Sequence, residues 1–153
     1  MIVVSDTTAI TSLLQINQCE LLAKLYGEVV ISAAVRDELL AAHQNLPEFL
    51  RVRTIRQQSE VQRLRADIDV GEAEAIVLAK ELAADLLLVD ETEGRRVAVR
   101  EGVNIIGLLG VLVQAKRKGL VSSVRDTTAK LEAVAEFRVA DDVKEIIFRA
   151  AGE

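Results

Sequence analysis

The chain has 153 residues, half of them apolar and 28% charged, with eight glycines and one proline; this fits a single globular domain and excludes a disordered tail, a collagen repeat or a disulfide-stapled scaffold. One histidine, His43, and one cysteine, Cys19, exclude a His-rich or Cys-rich zinc site and any intramolecular disulfide. With 24 acidic residues against 19 basic ones the net charge is −5, and carboxylates, the hard oxygen ligands of Mg²⁺ and Mn²⁺, are the only metal ligands in good supply.

Short apolar runs alternate with segments of helical spacing. A strand over residues 1–5 precedes a helix over 7–15; a short helix over 20–26 leads through Gly27 to a strand at 29–31, and Ser32 is placed to cap a helix over 33–43. Beyond the loop at Pro47, residues 51–55 alternate as an edge strand does, and a polar helix follows over 59–65. Asp69 begins a helix over 71–84; residues 86–89 read as a fully buried strand, 92–101 as a helix and 104–106 as a strand. Three more helices are expected over 108–118, 123–136 and 141–151, with Phe137 and Phe148 in the core.

Strands separated by long helices imply right-handed crossovers, so the expected fold is a three-layer α/β/α sandwich with a mostly parallel sheet of four or five strands. No linker or repeat divides the chain: 1–153 reads as one domain, in which 107–153 is a helical part that either caps the sheet or pairs with a second subunit. The stretch from Gly102 to Ala115 is free of charge but shorter than the roughly 18 to 20 residues of a membrane span. Met1-Ile-Val-Val-Ser-Asp6 lacks the basic start of a secretory signal, so a cytoplasmic protein is expected.

The glycines form neither a dinucleotide nor a P-loop pattern, and His43, in a polar helix end, is poorly placed for a nucleophilic triad. The crevice of an open parallel sheet lies beyond the carboxyl ends of its strands, where Asp6 follows Ile2 to Ser5 and Asp90 follows Leu86 to Val89. If those strands are neighbours, the two carboxylates converge. N-capping competes for each: Asp6 precedes Thr7-Thr-Ala-Ile10, and Asp90 stands from Glu93 as in a capping box.

At about 100° per residue, Glu38 lies about 60° from Val35 at the edge of an apolar arc, and Glu72 about 60° from Ala75 within the core-facing arc. Glu74, at about 260°, falls on the polar side. A cap competes for Glu72 too, through the spacing of Asp69-Val-Gly-Glu72. Four clustered carboxylates repel one another and raise each other's pKa unless a divalent cation joins them. Such a site activates water and stabilises a leaving oxygen in phosphodiester hydrolysis.

At these residues the sequence resembles a PIN domain, the metal-dependent nuclease fold of VapC-type toxins and RNA-processing factors. Asp6-Thr7-Thr8 is similar to the family's start, Glu38 in Val35-Arg-Asp-Glu-Leu39 to its helical glutamate, and Asp90 in Leu87-Leu-Val-Asp90 to its strand-end aspartate. Residues 69–76, 87–98 and 107–120 resemble a prokaryotic subgroup of stand-alone PIN-like proteins. The usual helical aspartate is replaced by Glu72 or Glu74, and Glu91 and Glu93 are both candidates for a later acid.

The resemblance implies a Mg²⁺- or Mn²⁺-dependent endoribonuclease in which Asp6, Glu38, Glu72 and Asp90 hold metal and Thr7 or Thr8 supports the site. For a toxin it also implies a small antitoxin partner, and a homodimer is expected. Arg95, Arg96 and Arg100, and Lys116-Arg-Lys118, are candidates to steer the RNA backbone, although each also reads as a solvated helix face. Four aromatics, Tyr26, Phe49, Phe137 and Phe148, make base stacking an unexpected recognition mode. The competing reading is a catalytically silent PIN-like binding or assembly module. A phosphoacceptor receiver is disfavoured, because residues 51–55 lead into Arg-Gln-Gln-Ser and not into an acceptor aspartate.

Overall fold

Strands rich in Val, Ile and Leu bury both of their faces, and their alternating side chains feed two separate cores. In the computed structural model, which describes residues 1–153, β1 (Val3–Ser5), β2 (Val29–Ser32), β3 (Leu50–Arg53), β4 (Leu86–Leu88) and β5 (Ile105–Ile106) form one sheet. The order is β3-β2-β1-β4-β5 and every pairing is parallel, which resolves the expected four or five strands as five. The edge strand begins one residue earlier than its alternation suggested, at Leu50, whose side chain is buried in the core.

Val29 and Ile31 of β2 and Leu88 of β4 point into the larger core, shared with α1 (Thr7–Gln15), α2 (Glu20–Tyr26), α3 (Ala33–Ala42), α7 (Leu108–Arg117), α8 (Val124–Val134) and α9 (Asp141–Ala150). Val4 and Leu87, one position out of phase, point into the second core beneath α4 (Gln58–Leu64), α5 (Val70–Glu81) and α6 (Thr92–Arg100). The C-terminal helices therefore cap one face of the sheet, as one of the two expected arrangements has it. Phe148 joins that core, but Phe137 does not sit in a helix: α8 ends at Val134, and Glu136 takes a left-handed conformation (φ 53°) that breaks the periodicity. No helix is long and apolar enough to cross a membrane.

Helix α5 is the tightest element. Ala73, Ala75 and Ala79 let it pack closely in the second core, and residues from Ala75 to Ala79 are all buried. The chain builds β1, β2 and β3 outward and then returns through α5 to β4 on the other side of β1. The strand order thus reverses between β1 and β4, and the acids cluster there.

Candidate functional site

Strands β1 and β4 run in register, with Ser5 opposite Leu88, and the Asp6 N–H donates to the Leu88 carbonyl at 3.0 Å. Asp6 and Asp90 consequently stand at the carboxyl ends of neighbouring strands, at the switch point where open α/β sheets bind ligands. Asp6 is only 2% exposed. It holds the N-cap position of α1, yet its side chain makes no capping bond, and neither carboxylate oxygen has a hydrogen-bond partner. Burial, and then the Asp90 charge, push its pKa well above the ordinary range; the backbone amides of Asp90 and Ala9 offset this only in part, without forming bonds of normal geometry.

Two helices bring the next acids. Ser32 caps α3 by accepting the Val35 N–H at 3.2 Å, and burial of Val35 and Leu39 leaves Glu38 toward Thr7, whose hydroxyl donates to Glu38 Oε2 at 2.6 Å. A Cβ at Gly71 would overlap Glu38 Oε1, so the glycine leaves the space that the Glu38 carboxylate occupies. Asp69 caps α5, accepting the Glu72 N–H at 2.9 Å, but Glu72 does not complete the capping box. Its carboxylate instead lies against Gly94 of α6, where a Cβ would overlap Oε2, and that oxygen is buried without a partner. Burial first, then Asp69, with Glu91 and Glu38 adding, raises Glu72 to about 7.

Asp6, Glu38 and Glu72 share one cavity of about 320 Å³, completed by Thr7, Thr8, Asp69 and Glu91, with no apolar residue in its wall. Buried Asp6 lies deepest, while Glu38, Asp69 and Glu91 are exposed at the rim. Asp90 stands just outside this wall. Its oxygens accept the Leu108 N–H at the start of α7, at 3.0 and 3.3 Å, and burial outweighs that amide and Arg95 to raise its pKa to about 6. The expected capping box with Glu93 does not form: Glu91 holds the N-cap position of α6, and Glu93 pairs with Arg96 at 2.8 Å.

A family profile described as a PIN domain matches residues 2–153 of this chain. The chain belongs to the PIN-domain family. No curated protein matches the sequence. The family carries a nuclease-type fold, and the all-parallel sheet between helical layers is that fold here.

Within this PIN domain, Glu72 lines the acidic cavity and Glu74 does not. Glu74 Oε1 accepts the Ala34 N–H at 3.0 Å, so it caps α3 from α5 and takes no part in the cavity wall. The expected polar side does not exist, because α5 is packed nearly all round and Glu74 is half-buried. Glu91 is at the rim and accepts the Thr8 hydroxyl at 3.3 Å, whereas Glu93 is exposed and paired. Among the basic candidates, Arg96 pairs with Glu93, Arg100 with Asp67 and Lys116 with Glu153; Arg95 alone lies beside Asp90, across Gly107. Sequence reasoning missed Asp69 as a wall residue and Gly71 and Gly94 as the spaces that admit Glu38 and Glu72.

No three of the chain's His, Cys, Asp and Glu side chains converge on one point as a ready metal cluster; the acids spread around the cavity, as like charges do. Their chemistry nevertheless fits a hard divalent cation. Three buried oxygens, both of Asp6 and one of Glu72, have no donor, and every candidate ligand is an oxygen.

Proposed function

We propose that the chain is a divalent-metal-dependent nuclease acting on RNA phosphodiesters, with Asp6, Glu38, Glu72 and Asp90 as the residues that would hold Mg²⁺ or Mn²⁺. The observation that carries this reading is Asp6: a carboxylate buried at a strand end, without any hydrogen bond, beside a second raised acid. Native proteins leave such groups unpaired where function requires them. When bound, the cation supplies water activation and neutralises charge developing on the phosphodiester oxygens.

The remaining roles belong to the chain. Thr7 fixes one oxygen of Glu38 by its 2.6 Å bond and leaves the other free. The Leu108 amide orients Asp90, and Glu74 ties α3 to α5, so the helices carrying Glu38 and Glu72 keep their separation. Burial and its acidic neighbours raise Glu72 to about 7, and positive charge entering the cavity favours release of its proton. The wholly polar wall offers no face for a base, so the sugar-phosphate backbone is what it meets.

The test is cleavage of a structured RNA mixture by the purified chain with Mn²⁺ or Mg²⁺, with EDTA and Asp6→Asn as controls. Metal-dependent cutting that Asp6→Asn abolishes is the expected result. An intact, folded chain that neither cuts nor binds metal would overturn the reading in favour of a binding or assembly module.

A further inference from the structure

On the far side of Asp90 lies a second cavity, of about 450 Å³ and largely apolar, that the acidic site does not use. Ile106 of β5 and Leu109 of α7 form part of its wall, and Phe137, Val139 and Val143 line it from the 135–140 connection and the start of α9. Phe137 reaches it because the left-handed turn at Glu136 takes the chain out of α8, leaving the Phe137 N–H on the Leu131 carbonyl at 3.1 Å. Two guanidiniums, Arg95 and Arg138, join the same wall.

Asp90 belongs to this wall and also stands beside Asp6, so the two cavities are neighbours across one side chain. Arg95 lies at the junction: a Cβ on Gly107 would sit 2.5 Å from Arg95 Nη1 and 3.1 Å from Asp90 Oδ1. Arg96 and Arg100, on the same helix, spend their charge on Glu93 and Asp67.

Resting on the nuclease reading above, we infer that this cavity is a nucleotide subsite: it takes one base of the RNA strand against Phe137, Val139 and Leu109, while Arg95 holds the adjoining phosphate beside Asp90. The volume lies within the range of small-ligand pockets, and apolar walls with a few placed cations suit a flat, anionic ligand. A forked guanidinium matches phosphate geometry, and a single aromatic face suffices for one base. The occupant is a nucleotide because one cation of the apolar wall, Arg95, stands beside Asp90, the residue this cavity shares with the acidic site.

The experiment is an NMR titration of the purified full chain, in EDTA, with adenosine and uridine 5′-monophosphates, ribose 5-phosphate and an acidic, apolar peptide. The variants are Arg95→Gln and Val143→Trp; Val143 is 42% exposed, so the larger ring fills the cavity without displacing core. The expected result is shifts at residues 106–110 and 137–143, with the nucleotides binding about tenfold more tightly than ribose 5-phosphate. Val143→Trp should abolish that preference, and Arg95→Gln should weaken the nucleotides and ribose 5-phosphate alike, since both carry the phosphate. Equal binding of ribose 5-phosphate, or saturation by the peptide alone, would overturn the subsite.

Cleavage of a short ribo-oligonucleotide with Mn²⁺ separates this idea from the nuclease reading. A KM raised more than kcat is lowered in Val143→Trp supports the subsite. An active enzyme whose KM ignores both variants overturns the subsite and leaves the nuclease. A chain that binds nucleotides in this cavity but neither cuts nor binds metal upholds the base pocket and overturns the nuclease.

Discussion

Two sets of carboxylates in this chain have opposite electrostatics. Glu101, 9% exposed, accepts from Arg63 at 2.6 Å and Lys80 at 2.8 Å, and these cations hold its pKa at about 2. Glu153 accepts from Lys116 at 2.8 Å and from the Val124 and Arg125 amides at the start of α8, and is likewise held at about 2. Asp6 and Glu72 are more deeply enclosed, face other carboxylates and lack donors, and burial first, then those charges, raises their pKa values. Burial raises an acid that lacks donors, and cations or amides that bond its carboxylate lower it. One set serves the fold, and the other remains a demand for positive charge.

The sharpest way to break this contrast is a pair of isosteric variants. Asp6→Asn should lower metal-dependent cleavage by more than about a hundredfold, because removing even outer partners of a metal costs 10- to 100-fold. In EDTA its melting temperature should hold or rise, since a like charge is gone. Glu101→Gln should do the reverse, leaving cleavage within about twofold while lowering the melting temperature by about 2–4 °C. A large loss of stability in Asp6→Asn, read by calorimetry, would place Asp6 among the structural acids.

Metal addition gives the next largest effect. Mn²⁺ at a hundred times its dissociation constant should raise the melting temperature of the unaltered chain by about 5–10 °C, following about 2.7 kcal/mol of linkage. Glu153→Gln should keep that response, and Asp6→Asn should lose it.

The pH dependence is smaller and has opposite signs for the two sets. Glu72, raised to about 7, keeps in the folded chain a proton that the unfolded chain releases near its ordinary value of 4.5. That stabilising proton is in place below pH 4.5 and is lost as pH rises through about 7; Asp90, raised to about 6, acts in the same direction. Glu101 and Glu153, held at about 2, contribute stability above about 4.5 that is lost as pH falls through 2. Thermal melts in EDTA should therefore weaken from pH 5 to 7.5, and Glu72→Gln should flatten that slope.

Gly94→Ala should have the smallest effect on the fold, because a gain in helix propensity of up to about 1 kcal/mol offsets contact with Glu72 Oε2 and with Val89 Cγ2 at 3.2 Å. Its signature is a reduced response to Mn²⁺, by about half, measured by the same melts.

Much of the architecture is legible in local pattern. The strand and helix periods, the placement of Asp6 and Asp90 after apolar runs, and the inward angles of Glu38 and Glu72 all depend on neighbours within a few residues. Glu74 was misread for the same reason: helical arithmetic supposes a solvent face, and α5 has almost none. Its true partner, the Ala34 amide, is 40 positions away.

By itself, then, the sequence determined the class of fold, the carboxyl-end aspartates and the scarcity of soft-metal ligands, because composition and period follow from covalent order. Only the tertiary structure decided that β1 and β4 are neighbours, that Asp90 turns to the Leu108 amide, that Gly71 and Gly94 admit two carboxylates, and that Phe137, packed against the larger core from outside any helix, also lines a cavity. Each of these depends on which distant backbones approach one another, and so on how the whole sheet and its helices pack.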